Sequence, residues 1–225
     1  MSWEGTETGL KQELTANSGH AIIRRPLNGR HSGGKERGRG RTETEISLMD
    51  GRPADETGRL EREIKVYDTL DALGIAFQRT DHEPALTMED CLRIDAVLGI
   101  TICKNLFLCN RQQTAFYLLM MPGSKVFKTK ELSAQIHSAR LSFGSPEQME
   151  RLLGTSPGSA SIMGLIFDPE KKVTLLIDED VIREPYIGCH PCINTSSLKI
   201  RTSDILERFL PYTGHVPQMV HLVGE

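Results

Sequence analysis

The sequence predicts an α+β fold: a single compact domain with a mixed β-sheet flanked by helices, preceded by a disordered N-terminal tail. Three observations carry this. From about Leu60 onward, apolar residues at helical spacing alternate with short apolar runs of strand length. The alternation has no strict βαβ period and no Gly-rich phosphate loop, so a mixed sheet with packed helices is the natural outcome. Residues 1–58, by contrast, hold few large apolar side chains, and the Gly/Arg-rich stretch from Arg30 to Arg41 buries too little to offset its chain entropy. The expected organisation is a tail over residues 1–58 and a folded domain over 59–225. The tail is not expected to carry the function, and Met49 is an alternative start of translation.

The elements follow in order. Leu60, Ile64, Tyr67, Leu70 and Leu73 mark a first helix, which Gly74 stops. Residues 75–81 read as a strand. Thr87-Met-Glu-Asp90 resembles a capping box opening a helix that ends near Gly99. Residues 102–109 and 114–121 read as two strands joined by the polar turn Asn110–Gln113. A helix is expected over 129–136. Another has Ser145 as N-cap, Pro146 at its first position and Gly154 after its end. Residues 163–167 and 173–177 read as buried strands, 198–201 as a last strand, and 204–210 as a final helix.

Charge and cysteine content narrow the function classes. A formal net charge of -3 excludes a protein coated in positive charge, so any nucleic-acid contact must use a local basic patch. The five cysteines are an odd, scattered set, unlike a secreted disulfide framework. No apolar run approaches the length of a membrane span. A cytoplasmic location is expected, with no membrane and no DNA partner.

Four places stand out chemically. Lys104 lies within an apolar strand, where lysine is rarely buried without a partner; composition alone favours a snorkelling strand-end lysine over a functional one. Asn105 should point to the opposite face of a regular strand. The small-residue loop 152–164 can expose backbone N–H groups toward a carbonyl oxygen that gains charge, although a plain helix-to-strand connection is the simpler reading. Cys189-x-x-Cys192 has the spacing of a redox pair or half a zinc site, but no further ligands lie at useful spacing, and the following Asn-Thr-Ser-Ser is no helix start. His190, fixed by Pro191, suits a pocket wall, and His82-Glu-Pro84 suits a turn or pocket rim. Residue types alone name no substrate.

The order of these segments carries a resemblance. Val66–Ile75, His82-Glu-Pro84, Lys104–Leu108, Leu153–Ser159, His190-Pro191 and Asn194 together resemble the YbaK family, related to the editing domain inserted in bacterial prolyl-tRNA synthetases. The likeness covers roughly residues 60–223 and is greatest for the family's free-standing alanyl-tRNA(Pro) deacylase branch. It implies hydrolysis of the ester joining an amino acid to the 3′ end of proline tRNA, most of all alanine. It implies no metal or organic cofactor, and prolyl-tRNA synthetase as a further partner. Lys104, Gly158, Ser159 and His190 match the family's functional positions; His82, Asn105, Ile162 and Asn194 are expected at the substrate. Ile162 stands where many members have Pro, which leaves cysteine, serine or 2-aminobutyrate as alternative amino acids. Rival readings are a non-catalytic tRNA- or synthetase-binding protein of the same fold, and a thiol redox protein using Cys189 and Cys192.

Overall fold

The computed structural model describes residues 16–17, 20–21, 46–85 and 87–224. Most of the expected disordered tail lies outside the described residues; within it, Ala16–Asn17 pairs antiparallel with His20–Ala21. The domain itself contains two sheets where one was expected. The first is four-stranded and antiparallel, in the order β1 (Met49–Asp50), β2 (Phe77–Asp81), β8 (Ser196–Arg201), β7 (Tyr186–Cys189). The second is five-stranded and mixed: β9 (Gln218–Val220), β6 (Val173–Asp178), β4 (Phe116–Met121), β3 (Lys104–Cys109), β5 (Ser142–Phe143). In it β3 and β4 form the expected hairpin, while β6 runs parallel to both β4 and β9.

The first strand lies upstream of the boundary expected near residue 59. Its chain is fixed by the Gly51 amide on the Phe77 carbonyl (2.8 Å) and by Arg52, which reaches Asp68 and Asp71 of helix α1 (Glu61–Ala72). These are polar ties, so hydrophobic spacing gave no sign of them.

Helix α1 lays Val66, Tyr67 and Leu70 into the larger core, where Tyr67 stacks on Phe77 at 5.7 Å. Helix α2 (Met88–Leu98) opens on the expected capping box of Thr87 and Asp90 and closes on a left-handed Gly99. It covers the other face of the first sheet through Ile94 and Leu98. Helix α3 (Thr129–Gln135) contributes Leu132 to a second core with Leu106, Leu108, Leu119 and Leu176. Strand β3 is therefore buried on both faces, its side chains alternating between cores: Phe107 and Cys109 into the larger, Leu106 and Leu108 into the smaller.

Two expected elements change. The strand read over 163–167 is a 3-10 helix, Ile162–Phe167. Its apolar run is buried on several sides, and such a run cannot be assigned by periodicity. Capping decides it instead: Ser161 Oγ accepts from the Met163 amide, and Gly164 packs so close to helix α4 (Pro146–Leu153) that a Cβ would lie 2.7 Å from the Leu153 carbonyl oxygen. The final helix, expected over 204–210, runs through Thr202–Asp204, a π-helical stretch Ile205–Phe209 and Leu210–Thr213. Pro211 lacks the N–H an α-helix would use there, which is compatible with the widened turn before it. Helix α5 (Glu179–Arg183) and strands β1, β5, β7 and β9 are too short, or too polar in sequence, to announce themselves.

The two sheets meet where β7 crosses the start of β3. The Cys103 amide donates to the Gly188 carbonyl at 3.2 Å, and a Cβ at Gly188 would lie 2.9 Å from Ile102 Cα. Backbone meets backbone there, so Gly188→Ala is expected to destabilise the domain by about 1–3 kcal/mol, as overpacked cores do. Urea unfolding checks this; an unchanged midpoint would mean that the two sheets can part at no cost.

Candidate functional site

Three side chains form a buried chain on the α2 side of the first sheet. His82, just past β2, places Nδ1 2.9 Å from the Glu83 carbonyl and Nε2 2.9 Å from Ser197 Oγ. Ser197 Oγ is in turn 3.3 Å from His190 Nδ1, which lies 2.8 Å from the Ser196 carbonyl. Carbonyl oxygens only accept, so both Nδ1 atoms carry the proton in these bonds, an assignment that follows from the partners. With both rings neutral, Ser197 donates to His82 Nε2 and shares the His190 Nδ1 proton, and His190 Nε2 is the acceptor nitrogen of its ring. The two imidazoles stand 6.4 Å apart.

The loop after helix α4 frames His190 from the other side. Ser161 Oγ donates to the His190 carbonyl at 2.5 Å. Residues 156–159 form a tight turn in which the Ser159 amide donates to the Ser156 carbonyl (2.9 Å) and Ser159 Oγ accepts from the Ser156 amide (3.0 Å). Ser159 is thus buried and occupied in shaping the turn; the turn uses its N–H, not that of Gly158. Gly158 has φ +88°, open to glycine at no cost, and the nearest atom to a Cβ there would be Asn194 Nδ2 at 3.7 Å. Gly158 and Asn194 therefore face one another across the loops that carry His190.

Lys104 and Asn105 point to opposite faces of β3, as its regular pleat requires. Asn105 Nδ2 donates to the Cys103 carbonyl at 3.2 Å, while its buried Oδ1 has no hydrogen-bond partner among the described residues. Lys104 lies on the side of the smaller core, 4% exposed, with Nζ 2.7 Å from the Lys125 carbonyl. Burial pulls its pKa below the ordinary lysine value. Beside this anchor is a cleft of about 730 Å³ whose walls include Cys103, Lys125, Tyr186 and Lys199. The hydrogen bonds thus gather His82 and His190 and tie Lys104 to a different loop, while Gly158 lies near Asn194 by packing alone.

Ile162 is fully buried in the larger core beside Met163 and Leu165, rather than open to a cleft. Cys189 and Cys192 are also fully buried free thiols, and Cys192 takes the left-handed φ of +62°. Burial pushes Cys189 up to about 12 and Cys192 higher still, so neither supplies the exposed thiolate that redox exchange needs. Among the described residues no cluster of His, Cys, Asp or Glu has the arrangement of a metal site. No helix among them is long and apolar enough to cross a membrane.

Sequence reasoning missed Ser161, Ser197 and Lys125. Ser196 and Ser197 did offer a signal, being two adjacent hydroxyl side chains at the head of a strand that runs on as Leu-Lys-Ile-Arg.

Two sheets carry a buried lysine on one and a linked imidazole pair on the other. Residues 82–207, more than half of the chain, match the model of the aminoacyl-tRNA editing domain, and the chain belongs to that family. It is similar to the prolyl-tRNA editing protein ProX of Acetoanaerobium sticklandii, 27% identical over 157 residues that cover 70% of this chain and 95% of the relative. It is also similar to prolyl-tRNA synthetase associated domain-containing protein 1 of Danio rerio, 26% identical over 160 residues, covering 70% and 85%. A solved structure described as a candidate trans-editing enzyme for prolyl-tRNA synthetase shares the fold at TM-score 0.54 and 16% identity, over 72% of this chain and 97% of that one. A scaffold used for computational epitope grafting does so at TM-score 0.56 and 17% identity, over 72% and 97%.

Proposed function

We propose that the protein is a trans-acting aminoacyl-tRNA deacylase that hydrolyses mischarged proline tRNA, alanyl-tRNA(Pro) first. The observation that carries this reading is that all eight candidate residues, from His82 to Asn194, fall inside the 82–207 stretch matched by the editing domain. The geometry supports it. An aminoacyl ester is already activated, so water has only to be positioned and the developing oxyanion stabilised. The Gly158 amide is the loop donor suited to that oxyanion, at roughly 3 kcal/mol for an effective donor. Asn105 Oδ1, a buried acceptor, suits the substrate's α-ammonium or ribose hydroxyl. The Lys104 ammonium, with one of its three N–H groups on Lys125, has donors for the terminal phosphate or the oxyanion. His190 shapes the pocket and offers an acceptor nitrogen to the water or the ribose 2′-hydroxyl.

Selectivity comes from exclusion. A pocket that takes a methyl group but clashes with a pyrrolidine ring spares prolyl-tRNA(Pro), whereas attraction differs by only about 1–3 kcal/mol per methylene. Cytoplasmic action, with the tRNA and prolyl-tRNA synthetase as partners, belongs to the same proposal.

Purified protein is expected to deacylate alanyl-tRNA(Pro) and spare prolyl-tRNA(Pro). If alanine is untouched, cysteinyl-, seryl- and 2-aminobutyryl-tRNA(Pro) are the next substrates. Binding of all four without turnover would overturn the enzyme reading in favour of a tRNA-binding protein. Ser197→Ala, which cuts the link between the imidazoles, is expected to lower kcat about tenfold, at the low end of what acid–base positioning contributes. Ser197→Thr keeps a hydroxyl and is expected to recover part of that loss. Equal rates in wild type and Ser197→Ala would remove the imidazole chain from the mechanism.

A further inference from the structure

Lys104 is held by a loop that is itself held by charge. The acceptor of its ammonium is a backbone carbonyl, that of Lys125, in the connection between β4 and α3. That connection is pinned at the same residue. Lys125 Nζ lies 2.9 Å from both carboxylate oxygens of Asp178, a fully buried residue ending β6, and 2.7 Å from Asp180 Oδ2. Burial works against the Lys125 charge, but Asp180 and Asp178 outweigh it and leave its pKa raised. The next amide, Val126, donates to the Gly224 carbonyl at 3.1 Å. One residue thus joins the interior strand β6 to the carbonyl that orients Lys104.

We propose that Lys125 is a positioning residue for Lys104: clamped on Asp178 and Asp180, it fixes the carbonyl that receives the Lys104 ammonium and so sets where the other N–H donors point. A four-carbon lysine stem does not choose a direction by itself. In a nearly dry site an ammonium without a fixed acceptor is costly, so the carbonyl must be in place for Lys104 to stay charged and buried. The inference rests on the reading of Lys104 as a functional residue. It assigns a role to a side chain on another loop, in a sequence position that no motif marked.

The test uses the full-length protein and two readouts. The first is acetylation of Lys104 by acetic anhydride, followed by mass spectrometry against the exposed Lys130. The second is kcat/KM on alanyl-tRNA(Pro). Lys125→Ala is expected to raise Lys104 labelling about tenfold by freeing it to open locally. It is expected to lower kcat/KM by on the order of tenfold to a hundredfold, as a misplaced group does. Lys125→Arg, which still pairs with both carboxylates, is expected to recover most of both. Asp180→Asn removes half the clamp and gives an intermediate result if Lys125→Ala does not fold. In a Lys104→Ala background, Lys125→Ala is expected to cost nothing further, whereas a merely structural role would cost the same in both backgrounds. Unchanged labelling in a folded Lys125→Ala, or equal losses in both backgrounds, overturns the proposal. A wild-type protein that lacks deacylase activity, but whose Lys104 labelling still depends on Lys125, upholds the anchor and sinks only the assigned reaction.

Discussion

Lys104→Ala is expected to lower kcat/KM on alanyl-tRNA(Pro) by on the order of 10²–10³-fold, the cost of one preorganised donor aimed at developing charge. The kinetic split identifies the charge that Lys104 meets. An ammonium on the oxyanion acts only in the transition state, so kcat falls. One on the terminal phosphate binds ground and transition state alike, so KM rises. The pH dependence is a second signature. Burial holds the Lys104 pKa below the ordinary lysine value, so the active ammonium is present at low pH and lost as pH rises through that lowered value. The alkaline limb of kcat/KM should therefore begin below the ~10.4 of a free lysine side chain, once spontaneous ester hydrolysis is subtracted. A Lys104→Ala protein that turns over at the wild-type rate would reduce Lys104 to a strand-end lysine snorkelling past its core.

The helices were the most legible elements because their ends are chemical. Thr87 with Asp90, and Ser145 with Gln148, form complete capping boxes, and Gly99 and Gly154 take the left-handed conformation that closes each helix. The β3–β4 hairpin was legible for a similar reason: Asn110 Oδ1 accepts from the Thr114 and Ala115 amides and shapes the turn. Residues 162–167 were not legible, since an apolar run buried on several sides has no period to read. Nor was the division into two sheets, which is settled by pairings such as Ser196 with Asp81 across more than a hundred residues of chain.

For the candidate residues, the sequence supplied types and strand faces, while their surroundings were legible only in part. The opposed faces of Lys104 and Asn105 follow from the pleat alone. The occupation of the Ser159 amide within its own turn depends on a local hydrogen bond, and the depth of Ile162 on tertiary packing; neither leaves a mark in the one-dimensional pattern. The same holds for Lys125, whose importance lies in its carbonyl and whose side chain reads, in sequence, as one charge among many.

Asp168→Ala is expected to cause the largest loss of stability, about 3 kcal/mol or more. The Asp168 carboxylate is buried and ties three parts of the chain together. Its Oδ1 accepts from the Lys172 amide at 3.0 Å; its Oδ2 accepts from the Val173 amide at 2.7 Å and meets His215 Nε2 at 3.2 Å. Those partners are the approach to β6, its first residue, and the segment just after the left-handed Gly214 that ends the last helix. Removing the carboxylate strands the buried Val173 amide and the buried imidazole, each at about 1–3 kcal/mol. For a domain of this size about 3 kcal/mol lowers Tm by roughly 6–12 °C. Asp168→Asn is expected to recover little, because its amide nitrogen turns a donor toward one of the donors. His215→Ala should cost less than either, since it leaves both amides on the carboxylate. If calorimetry instead finds His215→Ala as damaging as Asp168→Ala, the tie lies in the packing of the imidazole and not in the carboxylate, because only the imidazole is lost in the first variant while the two amide bonds persist.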